Sequence, residues 1–294
     1  MPANETNERI TADQAVTKMT ERRSVRAYRN EHIPEEILDR ILSAGITAAT
    51  GGNLQPYSIL VEKDPERKEW LSEILHYPFV KNADICLIFL LDWHKLEVYS
   101  HCRKAPFVEH ASTSHFMIAW DDTLAAVQAT ETAAWLYGVG SCYIGHIMDC
   151  VEELTEKYHL PEHTFPAILL TLGYPKTMPP KTPKLAKEMV VFEGDYPQLT
   201  EEEICAAYDA KYVGRKLTIP KNTETANAMI EKFRRALHYS YNDEQTEQIV
   251  REVQDRGYVN EIQRLFGLHY HPERELGNQL STKLAKKGLT PFGE

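Results

Sequence analysis

Apolar positions recur every three or four residues in some stretches of this chain and run together or alternate in others, and the two patterns take turns along it. Ala12, Ala15, Val16 and Met19 keep a helical stripe behind Thr11 and Gln14, which have the spacing of a capping box. Pro34 opens a second helix, with Glu35 and Glu36 in its first turn and Ile37, Leu38, Ile41 and Leu42 on one face. That helix runs out into Ala48 to Gly52, where a glycine pair lets the backbone approach a ligand closely. Tyr57 to Glu62 alternates weakly and is predicted as a strand, after which Asp64-Pro65 caps a short helix bearing Trp70, Leu71, Ile74 and Leu75. The continuous run Ile85 to Leu91 predicts a buried central strand. Asp92 to Met117 is irregular, rich in histidine and aromatics, and reads as a lid or excursion.

From about Asp121 to Tyr137 the alanines Ala125, Ala126, Ala129, Ala133 and Ala134 permit close helix approach, which predicts a central buried helix stopped by Gly138. A strand through Tyr143 and Ile144 follows, then a helix from Asp149 with an Asp149/Glu152 capping pattern, then a strand at Ala167 to Leu172. Beyond residue 195 strand signals stop. Helices are predicted after Thr200/Glu203, through Ala226 to Leu237, and near Glu244 to Arg256, Tyr258 to Phe266 and Leu276 to Lys286. Alternating helices and strands imply an α+β class, a three-layer α/β/α sandwich, although periodicity alone does not separate it from a doubly wound sheet. The organisation expected is a core over residues 1–195 and a helical C-terminal extension over 196–294.

With 294 residues and 43% apolar composition the chain can build a sizeable core. Its five cysteines are widely spaced with no Cys-x-x-Cys pair, which fits reduced thiols in a cytoplasm. No apolar run is long enough to span a bilayer, and 33 Lys+Arg against 43 Asp+Glu disfavour a nucleic-acid partner. Against that net charge of −10, Arg22, Arg23 and Arg26 fall within five residues around Ser24. Guanidiniums match phosphate oxygens bidentately, so the cluster points to an anionic ligand, with a solvated basic turn as the plainer alternative. Gly138 and Gly140 do not make a dinucleotide fingerprint, because they follow a helix and precede a strand. His94, His101, His110 and His115 beside Cys102 lack the paired spacing of a zinc site, and no metal is expected.

Taken together, Arg23-Ser24-Val25-Arg26, Asp122 with Gln128, Gly138-Val139-Gly140, Tyr143-Ile144-Gly145-His146, Leu172-Gly173-Tyr174-Pro175 and Lys184-Leu185-Ala186 resemble the FMN-dependent nitroreductase family. The likeness is to its branch of oxygen-insensitive nitroreductases and NADPH-dependent flavin reductases, and it runs from about residue 10 to about residue 212. The resemblance implies a homodimer whose helical C-terminal arm wraps its mate, with 215–275 lacking a counterpart. It implies that Arg22, Arg23, Ser24 and Arg26 hold the FMN phosphate and ribityl chain, with Lys184, or else Lys181, adding a charge. Asn53 and Gln55 would meet the polar edge of the flavin, unless they form an ordinary turn. Tyr143, Ile144, Gly145 and His146 would lie at its reactive edge, with Gly145 giving the approach and His146 either supplying a proton or, the favoured reading, narrowing the pocket. The implied reaction is reduction of a small electron-poor acceptor, a nitroaromatic, quinone or flavin, by NAD(P)H bound transiently in a ping-pong cycle. Two other readings stay open. One is a different reaction on the same fold, such as dehalogenation or alkene reduction, and the other is non-catalytic flavin binding with a helical partner-binding module.

Overall fold

Four strands, β1 (Tyr57–Glu62), β2 (Ile85–Asp92), β3 (Gly140–Ile144) and β4 (Thr164–Gly173), form one sheet in the order β1-β2-β4-β3. Every pair in it is antiparallel, so the doubly wound parallel arrangement is excluded. The two central strands, β2 and β4, are buried along their whole length, and their runs of apolar residues serve both faces at once. Ile85, Leu87 and Phe89, with Leu172, Leu170 and Ile168 opposite them, face one way, against helices α2 (Glu35–Ile46) and α5 (Thr113–Leu136). Cys86, Ile88, Leu90 and Leu169 face the other way, against Leu71 of α3 (Pro65–Ile74) and Leu154 of α6 (Val151–Tyr158). That is the three-layer sandwich expected. The computed structural model describes residues 11–277 and 279–292.

Local signals account for most element ends. Thr11 and Gln14 close the capping box of α1 (Ala12–Thr20), Asp64 accepts from Arg67 N–H at the start of α3, and Gly138 at φ 77° stops α5. Three expectations need correction. The excursion after β2 contains helix α4 (His94–Cys102), and α5 begins eight residues before the predicted Asp121, where the Ser112 side chain accepts from His115 N–H. Asp149 and Glu152 do not cap α6, whose first residue follows Cys150 with no side-chain cap. Strands do recur beyond residue 195, as the short pair β5 (Lys216–Thr218) and β6 (Tyr258–Asn260).

The chain divides into two compact units, Met1–Lys181 with Leu280–Glu294, and Thr182–Gln279. The second unit has its own core. Helices α7 (Glu201–Lys211), α8 (Thr223–Leu237), α9 (Asp243–Arg256), α10 (Glu261–Arg264) and α11 (Pro272–Leu276) accompany β5 and β6, with Ile230, Phe233, Val250, Val253 and Val259 buried together. In the first unit, the returning segment adds α12 (Leu280–Ala285) and buries Leu284 and Leu289 against Trp93, Phe116 and Phe165. Thr290 N–H donates to His110 O at 3.0 Å, and His163 N–H donates to Lys287 O at 2.7 Å. Among the described residues no helix is long and apolar enough to cross a membrane.

Lys287 itself is 4% exposed and donates through Nζ to Leu160 O at 3.0 Å. Burial pushes its ammonium below the ordinary lysine value of 10.5, with Glu162 opposing the shift. The folded chain therefore releases this proton before the unfolded chain does, and between the two values the unfolded state binds more protons. Stability contributed at this site accordingly rises with pH across the window just below 10.5. Urea unfolding of wild type and Lys287→Met at stepped alkaline pH measures this: the wild-type-minus-variant free energy increases with pH, and a flat difference contradicts the assignment.

Candidate functional site

Residues 22–26 leave α1 as an extended segment stitched to the outer edge of β3. Val25 N–H donates to Ser141 O at 2.8 Å, and Ser24 forms a parallel bridge with Ser141. Val25 is fully buried, and it enters where Gly140 has no side chain, since a Cβ there would come within 2.6 Å of Val25 Cγ2. The glycine of this position therefore serves packing. Tyr28 closes the segment, donating to Val25 O or sharing a hydrogen bond with Thr171 Oγ1, each at 2.7 Å.

The three arginines have different surroundings. Arg22 Nη1 donates to Glu131 Oε1 at 2.8 Å, and the Glu131 side chain is 1% exposed. Ser141 Oγ and Gln128 Nε2 also donate to that carboxylate, each at 3.0 Å. Arg22, expected to help hold a phosphate, is thus the counter-ion of a buried carboxylate, which spends part of its donor set inside the fold. Arg23 Nε is buried with no hydrogen-bond partner among the described residues. Arg26 is exposed and lies beside Cys142, whose thiol burial pushes up while the guanidinium pulls it down. Arg26 also borders a cleft of about 600 Å³ with Arg29, Lys68, Lys81 and Lys176. Most of that charge is already engaged: Arg29 pairs with Glu31, Lys81 with Glu69, and Lys68 donates to two carbonyls.

β3 brings the second group to the same edge. Tyr143 OH donates to Gln128 Oε1 at 3.1 Å, which joins it to the Glu131 network, and burial pushes its phenol up. Ile144 is buried in the core, while a Cβ on Gly145 would meet nothing within 4 Å. His146 Nδ1 lies 2.9 Å from Asp149 Oδ2, and its ring stands edge-on to Tyr77 at 6.3 Å. The backbone is therefore approachable at Gly145 with His146 beside it.

The third group, the loop after α2, is strained. Gly52, Asn53 and Gln55 all have positive φ, at 59°, 55° and 49°, a conformation that costs a non-glycine residue about 1 kcal/mol each. Gly51 N–H donates to both oxygens of Asp122, at 3.0 and 3.1 Å, and Gln55 Nε2 donates to Ile46 O at 3.0 Å. Burial raises the Asp122 carboxyl above its ordinary value, with the Gly51 N–H opposing. Asn53 and Gln55 are exposed, so the turn that the plainer reading expected is present, with a left-handed backbone that asparagine tolerates and glutamine rarely adopts. Asp122 precedes Glu131 by nine positions on α5, about 13 Å along the axis, so this loop and the arginine segment meet different turns of the same helix. Lys184 is exposed and belongs to the second unit. Among the described residues no three His, Cys, Asp or Glu side chains form a metal-holding group. His110 stacks on His163 at 4.5 Å instead.

Sequence reasoning missed Glu131. Its signal was slight: a carboxylate among the alanines of the helix's second half, one turn after Gln128. Arg22→Ala leaves that buried carboxylate with neutral donors only and is expected to cost about 2–3 kcal/mol in urea unfolding. Arg23→Ala removes a guanidinium whose buried Nε has no partner among the described residues and is expected to cost under about 0.5 kcal/mol. Equal losses in the two variants contradict this division of labour.

Known proteins share this architecture. A model of the nitroreductase family matches residues 19–174. An FMN reductase (NADPH) of Bacillus subtilis (strain 168) is 31% identical over 187 residues, covering 61% of this chain and 73% of the relative. A second from the same strain, an FMN reductase described as using NAD(P)H, is 28% identical over 239 residues, covering 78% and 94%. The structure of an NADPH:FMN oxidoreductase from Vibrio harveyi complexed with NAD+ superposes with a TM-score of 0.61 at 26% identity, covering 67% of this chain and 86% of that one. The family model spans the basic segment, all four strands and the turn after β3, and this chain belongs to the nitroreductase family.

Proposed function

We propose that this chain is an FMN-dependent oxidoreductase that takes electrons from NAD(P)H and delivers them, in a ping-pong cycle, to small electron-poor acceptors such as nitroaromatics, quinones or free flavin. The observation that carries the reading is the buried Arg23 Nε, unpartnered among the described residues, beside Ser24 and Arg26 on a segment fixed to β3. A buried donor without an acceptor costs about 1–3 kcal/mol, and a phosphate oxygen is the acceptor that a guanidinium fits best. The fit extends along β3, because open space beside Gly145 admits a planar ring to the backbone. The names of the relatives, flavin reductases dependent on NADPH or NAD(P)H, point the same way.

In this reading Arg23, Ser24 and Arg26 hold the phosphate and ribityl end, and Arg22 acts indirectly by keeping the segment against Glu131. Tyr143, Ile144 and Gly145 line one side of the ring, and His146 narrows the space where donor and acceptor alternate. Asn53 and Gln55 offer amides to the ring's polar edge, with one N–H of Gln55 already spent on Ile46 O. Bound flavin supplies the two-electron hydride chemistry, and the chain supplies orientation and electrostatics. A second copy of the chain completes the enzyme. Ile46, Leu54, Met117 and Ile118 are 51%, 40%, 49% and 38% exposed on the side of α2 and α5 that carries the strained loop, an apolar patch suited to a twin.

An anaerobic titration of the flavin spectrum tests the reading. The FMN-loaded protein is expected to bleach with one equivalent of NADPH or NADH and to recover its colour on addition of a nitroaromatic or quinone. A folded protein that takes up no FMN, or one whose flavin neither nucleotide reduces, overturns it.

A further inference from the structure

The cleft beyond Arg26 has no part in the proposed function, and of the residues given to the flavin Arg26 alone reaches it. Five cations, Arg26, Arg29, Lys68, Lys81 and Lys176, and two carboxylates, Glu31 and Asp84, line its space of about 600 Å³, in a chain whose net charge is −10. Both sides of it are fixed. On one, Arg29 N–H donates to Tyr174 O at 2.8 Å and Lys176 N–H to Ala27 O at 2.9 Å, an antiparallel pairing that puts Arg29 and Lys176 on one face. On the other, Lys68 of α3 donates through Nζ to Ala83 O and Asp84 O, each at 2.8 Å. Asp84 ties the two sides together, accepting from Ile33 N–H and lying against His32 Nδ1, each at 2.7 Å.

Lys68 is the decisive group. It is 8% exposed, and among the described residues no carboxylate pairs with it. Carbonyl oxygens accept hydrogen bonds without cancelling a charge, and a buried cation that lacks a counter-ion is costly. An ammonium has three donors, the two carbonyls take two, and one N–H is left over. Asp84 does not supply the missing charge, because its two oxygens are turned to Ile33 and His32. Lys176 is exposed and forms no ion pair among the described residues. The pairs Arg29–Glu31 and Lys81–Glu69 join half-exposed side chains, and such weak pairs yield to a multiply charged ligand.

We propose that this cleft binds a small polyanion of the pyrophosphate class, bridged between the Lys68 ammonium and the side chains of Arg29 and Lys176, at a site separate from that of the flavin. Cations on both sides call for an anion with charge at both ends, as a diphosphate has and a single phosphate lacks. A nucleotide fits less well. Tyr28, the one phenol in the lining, is 7% exposed with its hydroxyl held at Val25 O and Thr171 Oγ1, and the His32 side chain is 94% exposed. Neither ring offers a base an enclosed face to stack on.

The test titrates sodium pyrophosphate into the full-length chain by isothermal calorimetry at low ionic strength, with and without FMN. One equivalent is expected to bind in both, and phosphorus-31 NMR is expected to show the FMN signal unmoved while the pyrophosphate signal shifts. Lys68→Met is expected to weaken binding at least about 10-fold and Lys176→Gln about fivefold, whereas Lys157→Gln, an exposed position on α6, stays within about twofold. Where Lys68→Met does not fold, Arg29→Gln/Lys176→Gln alters exposed side chains alone and is expected to weaken binding at least about 10-fold. Four results overturn the proposal: no measurable binding, an equal loss in Lys157→Gln, which leaves an adventitious ion only, displacement of FMN by pyrophosphate, and ADP binding more tightly than pyrophosphate. A chain that takes up no FMN overturns the function reading, and its pyrophosphate titration still decides this site.

Discussion

A buried carboxylate fixes the geometry of this molecule's basic edge. Glu131 sits inside the layer between α5 and β3, where an unpaired charge costs several kcal/mol, so its surroundings must supply donors. Arg22, Ser141 and Gln128 supply them, and each connects a different element: the segment after α1, strand β3 and α5 itself. Once Arg22 is committed there, the residues behind it run along the edge of β3, and Val25 drops into the gap left by Gly140. Arg23 and Arg26 are the cations of this cluster not tied to Glu131. A cation committed to the interior thus fixes the segment that carries the two others.

The rest of the first unit holds that edge rigid. β2 and β4 bury both faces between α2 and α5 on one side and α3 and α6 on the other, so β3 is paired to a strand with no freedom to shift. The turn at Gly145 to Asp149 would be the weak point, being a short 3₁₀ stretch at a strand end. The segment returning from residue 280 braces it through Lys283 and Lys286. The Gly52 to Gln55 loop, with positive φ at three of its four residues, is held down by Asp122.

The sheet, the capping boxes at Thr11 and Thr200, the starts of α2 and α3 and the end of α5 were legible in the sequence because each rests on a local rule: apolar periodicity, an Asp or Thr cap, a glycine stop. What was not legible depended on distant partners. Asp149 and Glu152 have the spacing of a cap, yet lysines more than 130 residues away claim both. Arg22 looks no different from Arg23 in sequence, and only a glutamate 109 positions later distinguishes them. β5 is three exposed residues with no period to read, and it exists through pairing with β6. The early part of α5 was hidden because its histidines and aromatics mask the helical stripe, leaving the Ser112 cap as the single cue. The site's three segments were recognised through likeness as a set, since none of them is decisive alone.

The claim beneath the functional account is that the guanidiniums of Arg23 and Arg26 clasp a phosphate. Riboflavin and FMN differ by that group alone, so their dissociation constants, measured side by side by fluorescence quenching on the apoprotein, isolate it. Two charge-assisted contacts at about 1.5–3 kcal/mol each predict that FMN binds at least about 100-fold more tightly, and that the preference falls below about fivefold in the Arg23→Ala/Arg26→Ala double variant. Equal affinity for the two flavins in the wild-type chain contradicts the account.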